Sequence, residues 1–318
     1  MPQPMKHITQ AFVLGAGLGT RLRPLTDDLP KPLVPIFQKP MITFGFDHLI
    51  DLGIESFVIN THLLPEQFAN AFANRTYRDR PLRLVHEPEL LGTGGGIKNI
   101  EPHLKSAPFI AYSGDVLTDI DLQPLIDEHF RCGNDVTLAL RDTGLAAAVA
   151  FRDGRVVDIS NRYGIAGNYD FANIAVWNPE IFERIPANRR ISFIPIVADW
   201  IGAGGKIGGV VLNDGKWFNI GSRTQYLEIH RVIADGWRPR YVEKTEWPIR
   251  VAKSAIVAAS AQLSGFFSIG TDCSVGDDAI IEDTILWSGA QIASKSHLQG
   301  CIVRSEKKAS GIHRNIDI

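Results

Sequence analysis

Leu14-Gly-Ala-Gly-Leu-Gly-Thr-Arg-Leu-Arg-Pro-Leu-Thr26, followed shortly by Pro30-Lys-Pro-Leu-Val-Pro35, is the stretch that decides how this chain is read. It follows an apolar strand candidate, His7 to Val13. Gly15, Gly17 and Gly19 let the backbone turn tightly and bring bare N–H groups close to an anion. Arg21 and Arg23 add fixed charge with a fork geometry suited to phosphate. Lys31 stands between two prolines, which stiffen its backbone and hold its ammonium near one place. The dinucleotide fingerprint fits poorly, because Leu22 and Arg23 stand where a smooth helix start is expected, and no Gly-Lys-Ser/Thr follows to make a P-loop.

Working outward, Ile42 to Leu52 reads as a helix ending at Gly53, Glu55 to Asn60 as a buried strand, and Pro65 to Ala73 as a helix. Leu82 to Val85 and Pro108 to Tyr112 are further strands. This alternation argues for an α/β sheet with parallel crossovers, whose ligands bind at the carboxyl ends of the strands. The glycine turn, Thr93-Gly-Gly-Gly96 and Ser113-Gly-Asp115 all follow strand candidates directly, so they converge on one edge. Beyond Asp135 the pattern becomes antiparallel or mixed, with strands expected at 135–140, 146–151, 155–159 and 210–212. Helices are expected at 179–185, 193–201 and 224–234.

A different regime begins near Pro248. Val251, Val257, Leu263, Ile269, Val275 and Ile281 recur every six residues, and Ile292 and Leu298 resume the spacing after one irregular step. Small residues follow several of these positions at the same offset: Ala255, Ala261, Cys273 and Ala279. A six-residue period with small residues at crowded corners resembles the hexapeptide repeat of left-handed parallel β-helices. The repeat is read as under three turns, and Lys307 to Ile318, polar and aperiodic, as a loosely held tail.

Composition excludes several classes. The chain has 318 residues, 45% hydrophobic and 21% charged, with a formal charge of −2, which gives no push toward nucleic acid or an anionic membrane. Anion binding must therefore be local. No run approaches the length of a membrane span, and Met1 to Lys6 carries no apolar core of signal-peptide length. Cys132, Cys273 and Cys301 are far apart and show no metal spacing, which suits free thiols in a reducing cytoplasm. His48 and His62, on apolar stretches, read as core or rim residues.

The glycine turn, Thr-Arg-Leu-Arg-Pro-Leu-Thr and Pro-Lys-Pro-Leu in one frame resemble the signature of the sugar-1-phosphate nucleotidylyltransferases. The resemblance covers about residues 7 to 235. It implies a Rossmann-like mixed, mostly parallel sheet flanked by helices over residues 1–240, with the small β-helix and its polar tail over 241–318. It further implies that a sugar 1-phosphate attacks the α-phosphorus of an NTP with Mg²⁺ as cofactor, giving an NDP-sugar and pyrophosphate. Arg21 and Lys31 would hold the phosphates, and Asp115, in Ser-Gly-Asp, would be a metal ligand. Nucleotide contacts would come from Leu14, Gly15, Ala16, Gly17, Gly19, Thr20, Glu87, Gly92 and Thr93.

Trp217-Phe-Asn-Ile-Gly221 is similar to the family's second metal motif, with Asn219 where an aspartate is usual. On the sugar side, Arg162 keeps the positive charge of a family lysine, and Asn173 stands in Phe171-Ala-Asn-Ile174 where Asn-Ala-Gly-Ile is common. Ala147 replaces a glycine. The departures at Asn219, Ala147 and Phe171 also motivate an alternative, a non-catalytic nucleotide-sugar-binding subunit of the same fold. A third reading places an acyltransferase site on the repeat, where His297 and His313 are the histidines present. The open end of a short β-helix favours self-association, so a homo-oligomer is expected.

Overall fold

A computed structural model describes residues 7–144, 147–245 and 247–318. Met1 to Lys6 and Ala146, part of two of the expectations above, lie outside the described residues. By packing, the described residues up to Leu18 form one unit with Phe44–Trp217, and Gly19–Thr43 forms a second with Phe218–Ile318. This grouping interleaves along the chain, whereas the sequence division at residue 240 is linear.

The first unit is built on a ten-stranded sheet. Its strands are β1 (Gln10–Leu14), β2 (Ser56–Thr61), β3 (Thr76–Tyr77), β4 (Arg80–His86), β5 (Phe109–Ser113), β6 (Val136–Arg141), β7 (Val149–Arg152), β8 (Arg155–Ile159), β9 (Asp170–Trp177) and β10 (Ile207–Val211). They lie in the order β7-β8-β10-β6-β9-β5-β1-β2-β4-β3. The pairings run β1, β2, β4, β5, β6, β7 and β10 in one direction and β3, β8 and β9 in the other. The mixed, mostly parallel sheet is the expected one. From β1 the chain works outward through β2 and β4, then returns to β5 on the other side of β1. That reversal is a topological switch point, which opens a crevice at the strand ends.

Helices α1 (Ile42–Asp51), α2 (Pro65–Ala71), α3 (Gly92–Asn99), α4 (Gln123–Cys132), α5 (Ile181–Arg184) and α6 (Phe193–Gly202) connect these strands. α1 buries Phe44, Phe46 and Leu49, and His48 is a satisfied core histidine, its Nε2 3.0 Å from Ile120 O. α4 has no counterpart among the sequence expectations, although it carries both punctuation marks. Pro124 stands in its first turn, and Gly133 closes it in the left-handed region at φ 56°. The core of this unit gathers Phe12, Phe109, Leu138, Trp177 and Trp200 between the sheet and the helices. None of the helices among the described residues is long and apolar enough to cross a membrane.

In the second unit three parallel sheets stack into a β-helix, consistent with the left-handed form that the period implies. Ile256 pairs with Ser274, eighteen residues on, and Ser274 with Gln291, seventeen on. The irregular step is therefore a corner shortened by one residue. The inward positions run Ile269, Val275, Ile281, Leu286, Ile292, Leu298, Val303 and Ala309, with five-residue steps into Leu286 and Val303. Removing one of them, as in Ile281→Ala, would cost about 2–5 kcal/mol.

The tail expectation is corrected. Lys308–Ala309 and Ile312–Arg314 are strands, Ile318 N–H donates to Ile302 O at 2.9 Å, and two of the sheets hold four strands each. A coil of this kind needs one small or apolar inward residue per face, so a polar stretch can complete it. Ala309, 5% exposed, is enough on its face.

Helix α7 (Arg223–Ala234) belongs to this unit and carries His230, which is fully buried. The Phe37 N–H faces His230 Nε2 at 3.5 Å, so Nε2 accepts and the proton sits on Nδ1, which donates to Tyr226 O at 2.8 Å. Burial pushes the His230 pKa down to about 4 from 6.5. Between those values the unfolded chain binds a proton that the folded chain excludes, so stability rises with pH across the window and falls as pH drops through it. Burial lowers the His129 pKa in the same sense. The thermal midpoint is expected to fall between pH 7 and pH 5, and less steeply in His230→Gln. Equal slopes in thermal scans of the two proteins would place the acid sensitivity elsewhere.

Candidate active site

The first unit presents the ends of β1, β2, β4 and β5 along one edge. Gly15 follows β1, and a Cβ there would meet Asn60 O at 2.7 Å, so this glycine makes room for the neighbouring strand. Gly15 N–H and Ala16 N–H both donate to Asn60 Oδ1, at 2.9 and 3.2 Å. Asn60 Nδ2 in turn donates to Glu87 Oε1 at 2.7 Å, and Glu87 Oε2 accepts from Leu91 N–H at 2.9 Å. Asn60 and Glu87 are 2% and 0% exposed. Two expectations change here. The Gly15 and Ala16 amides are already committed to a side chain, and the Glu87 carboxylate braces the loop instead of facing a base. Gly17, by contrast, has open space where a side chain would go.

The triple-glycine segment opens α3, but its N-terminus is closed. Gly94 N–H and Gly95 N–H donate to Ile191 O at 2.9 and 3.1 Å, while Ile191 N–H donates to Leu91 O. Phe193 N–H donates to Thr93 Oγ1 at 3.2 Å. A Cβ at Gly95 would come within 2.4 Å of Arg189 O, and one at Gly94 within 2.9 Å of the Ser192 backbone. These glycines exist so that the 189–193 strap can lie across the helix start. The Gly94 and Gly95 amides at this helix start are therefore taken within the chain.

A cavity of about 60 Å³ lies at the switch point, lined by Leu14, Thr93, Ser113, Asn173 and a wall of Phe171, Trp177 and Phe193. Asn173 stands at φ 62°, within an irregularity of the β9–β6 pairing, where its short polar side chain makes the left-handed backbone tolerable. The structure thus gathers Leu14, Thr93 and Asn173. Arg162 is not part of this lining: its guanidinium is 3.3 Å from Asp199 on an exposed surface, and its loop is fixed by Asp158, which accepts from Arg162 N–H and Tyr163 N–H. Asp115 follows β5. Its Oδ1 accepts from Ser113 Oγ at 2.6 Å, and Gly114 N–H donates to Leu14 O, tying the two central strand ends together.

The second unit carries the cationic side chains. Gly19 sits at φ 60°, and a Cβ there would lie 2.9 Å from the Thr26 methyl and 3.3 Å from Lys31 Cβ. Thr26 Oγ1 donates to Gly19 O at 2.9 Å, closing the loop beneath Lys31. Thr20, Arg21 and Leu22 form a 3₁₀ turn in which Leu22 is buried and Thr20 and Arg21 face out. A Cβ on Gly221 would come within 3.1 Å of Arg21 Nη2, so the glycine that ends Trp217-Phe-Asn-Ile-Gly221 leaves room for the guanidinium. Gly221 N–H is fixed by Gln225 Oε1 at 2.8 Å, at the start of α7. Asn219 Oδ1 is buried with no hydrogen-bond partner. A buried carbonyl oxygen in that condition costs on the order of 1–3 kcal/mol unless a donor or cation meets it. Among the described residues no group of three His, Cys, Asp or Glu side chains gathers to hold a metal alone. A hard cation ligated by single oxygens and substrate phosphates suits such a donor set.

The residues missed from sequence are Asn60 and the Arg189–Phe193 strap. Asn60 could have been noticed as a polar residue ending a buried apolar strand. The strap leaves no such signal.

The family profile described as "Nucleotidyl transferase" matches residues 10–236. A mannose-1-phosphate guanylyltransferase from Mycobacterium tuberculosis is 28% identical over 305 residues, covering 93% of this chain and 83% of that protein. A D-glycero-alpha-D-manno-heptose 1-phosphate guanylyltransferase from Aneurinibacillus thermoaerophilus is 32% identical over 188 residues, covering 58% of this chain and 81% of its own. The crystal structure of HddC from Yersinia pseudotuberculosis covers 70% of this chain and 97% of its own with a TM-score of 0.58, at 22% identity, which supports the fold. With the profile running from the first strand of the sheet past the end of α7, the chain belongs to the nucleotidyl transferase family.

Proposed function

We propose that this enzyme transfers a nucleotidyl group from an NTP to a sugar 1-phosphate, forming an NDP-sugar and pyrophosphate. The single observation that carries the reading is local to the second unit. The guanidinium of Arg21 passes over Gly221, two residues from the buried, unpaired oxygen of Asn219, so a group suited to anions packs against the motif that carries an oxygen suited to a cation.

An oxygen of the sugar phosphate attacks the α-phosphorus, a new P–O bond forms, and the bond to the bridging oxygen of the leaving pyrophosphate breaks. The acceptor is already a competent nucleophile, so the protein's task is to bring two polyanions into line and offset their charge. Arg21 binds the β- and γ-phosphates as a fork. Lys31, set on its proline-stiffened turn against Gly19, serves the α-phosphate as it becomes shared between donor and acceptor. Asp115 and Asn219 would hold a divalent cation, Mg²⁺ in this reading, which when bound neutralises phosphate charge as pyrophosphate departs. Leu14 and Thr93 line the small cavity together with Asn173, whose amide would orient a substrate hydroxyl. The Phe171 wall gives that cavity an apolar face suited to a ring or an apolar substituent.

The deciding experiment is a matrix of NTPs against sugar 1-phosphates read by pyrophosphate release. GTP and mannose 1-phosphate come first, because the sequence relatives described above are guanylyltransferases. No release with any pair would remove the reading and favour the nucleotide-sugar-binding alternative. With the active pair, Lys31→Ala and Asp115→Ala are expected to lower turnover by at least roughly 100-fold without loss of fold. Near-normal turnover in either variant would cancel its role. Asn219→Asp supplies a charged ligand, so the Mg²⁺ concentration for half-maximal rate is expected to fall about tenfold. An unchanged Mg²⁺ titration would take Asn219 out of the metal assignment.

A further inference from the structure

The segment that carries Arg21 and Lys31 is held in the second unit by side chains that lie far away in sequence. Gln38 Nε2 donates to Ser268 Oγ and Ile269 O at 3.1 and 2.8 Å. Tyr226 Oη donates to Pro35 O at 2.5 Å while accepting from Trp287 Nε1 at 3.0 Å. Trp247 Nε1 donates to Ile36 O at 3.3 Å. These bonds fix the part of the segment beyond Lys31. Between the two cations the grip is different. Arg304 Nη1 donates to Pro24 O at 3.1 Å and to Asp28 Oδ2 at 2.8 Å.

Arg304 is well placed for that task. It follows Val303, one of the inward residues of the β-helix, and its own backbone N–H donates to Ile318 O at 2.9 Å. Its side chain is 16% exposed, so the guanidinium has little freedom, whereas its partner Asp28 is 61% exposed and the charge part of that pair is screened. Pro24 and Asp28 flank Thr26, which is 1% exposed and bonded to Gly19 O. A rigid corner of the β-helix therefore holds the middle of the loop that separates Arg21 from Lys31.

We propose that Arg304 is a positioning residue for nucleotidyl transfer, and that through it the β-helix sets the spacing of Arg21 and Lys31. It touches no substrate in this role. The inference rests on the function proposed above. Its geometric half, that Arg304 orders the loop, stands apart from activity and can be tested alone.

The test uses the full chain and the variants Arg304→Gln, Arg304→Lys and Asp28→Asn. In Arg304→Gln, kcat for pyrophosphate release is expected to fall roughly 10- to 100-fold, as small misplacements of positioned groups do, with KM for the sugar phosphate held within about twofold. Arg304→Lys keeps one cationic donor and should recover most of the rate, and Asp28→Asn, which leaves the Pro24 bond in place, should lose little. Amide hydrogen exchange over residues 20–31 should speed up in Arg304→Gln while the β-helix strands keep their protection. A merely structural role would lower the thermal midpoint and leave kcat of the folded protein and the local exchange unchanged, and that result overturns the proposal. If wild-type protein releases no pyrophosphate with any substrate pair, the functional reading fails. The exchange measurement then still decides whether Arg304 orders the loop: faster exchange upholds that half and unchanged exchange ends it.

Discussion

One carboxamide organises the strand ends of the first unit. Asn60 accepts from the amides that follow β1 and donates to a carboxylate that follows β4, and that carboxylate accepts from the residue that precedes α3. Buried polar groups have to be satisfied, and here the side chains of Asn60 and Glu87 join the loop after β1, the end of β2 and the β4–α3 connection in one chain of hydrogen bonds. The constraint also sets which residues are tolerated nearby. Gly15 and Gly96 both lie where a Cβ would collide with an atom of Asn60. At Gly96 it is the polar network itself, Asn60 Nδ2 and Glu87 Oε1, that occupies the space a side chain would need.

A consequence follows for electrostatics. Glycine-rich turns are usually read as cradles of free amides, but here two of those amides are used internally and the α3 amides are taken by Ile191 O. Charge for a triphosphate has to come chiefly from side chains. In the function proposed above, the segment Gly19–Thr43 would supply it with Arg21 and Lys31, and its own backbone is pinned by buried apolar residues, Leu22, Leu25, Val34 and Ile36 among them. Two chemistries that the sequence writes next to each other, turn and charge, are thus packed in different surroundings.

The sequence was most legible where a period or a punctuation mark exists. The alternation of strands and helices, the glycine that follows α1, the proline that opens α2, and the six-residue recurrence from Val257 to Ile281 each have a direct physical cause, and each appears in the fold. Legibility failed where one letter serves two purposes. Glu87 as a brace and Glu87 as a ligand contact are the same residue on paper, and only burial separates them. Leu286 and Val303 were hidden because a corner lost one residue, which moves the inward position without changing the face. The segment after Lys307 reads as a tail in sequence because its composition is polar, although an edge coil needs only occasional inward atoms such as those of Ala309. Arg162 kept the charge of a matching motif and spends it on Asp199.

The interleaved packing also sets a timetable. Arg304 and Pro24, which share a hydrogen bond, are 280 residues apart in the chain. During synthesis at about 5–20 residues per second, the segment from Gly19 to Thr43 waits roughly 15 to 55 seconds for that partner to be made. The first unit can close around its sheet in the meantime, because β1 is already made and its other strands arrive in a continuous run after Phe44. The loop that carries Arg21 and Lys31, with its apolar anchors, is among the first parts of the protein to be made and among the last to acquire its final neighbours. Long-range closure of this kind is slow and leaves hydrophobic surface uncovered while it lasts. The order of manufacture, and not only the finished fold, therefore bears on how much active protein a cell obtains from this gene.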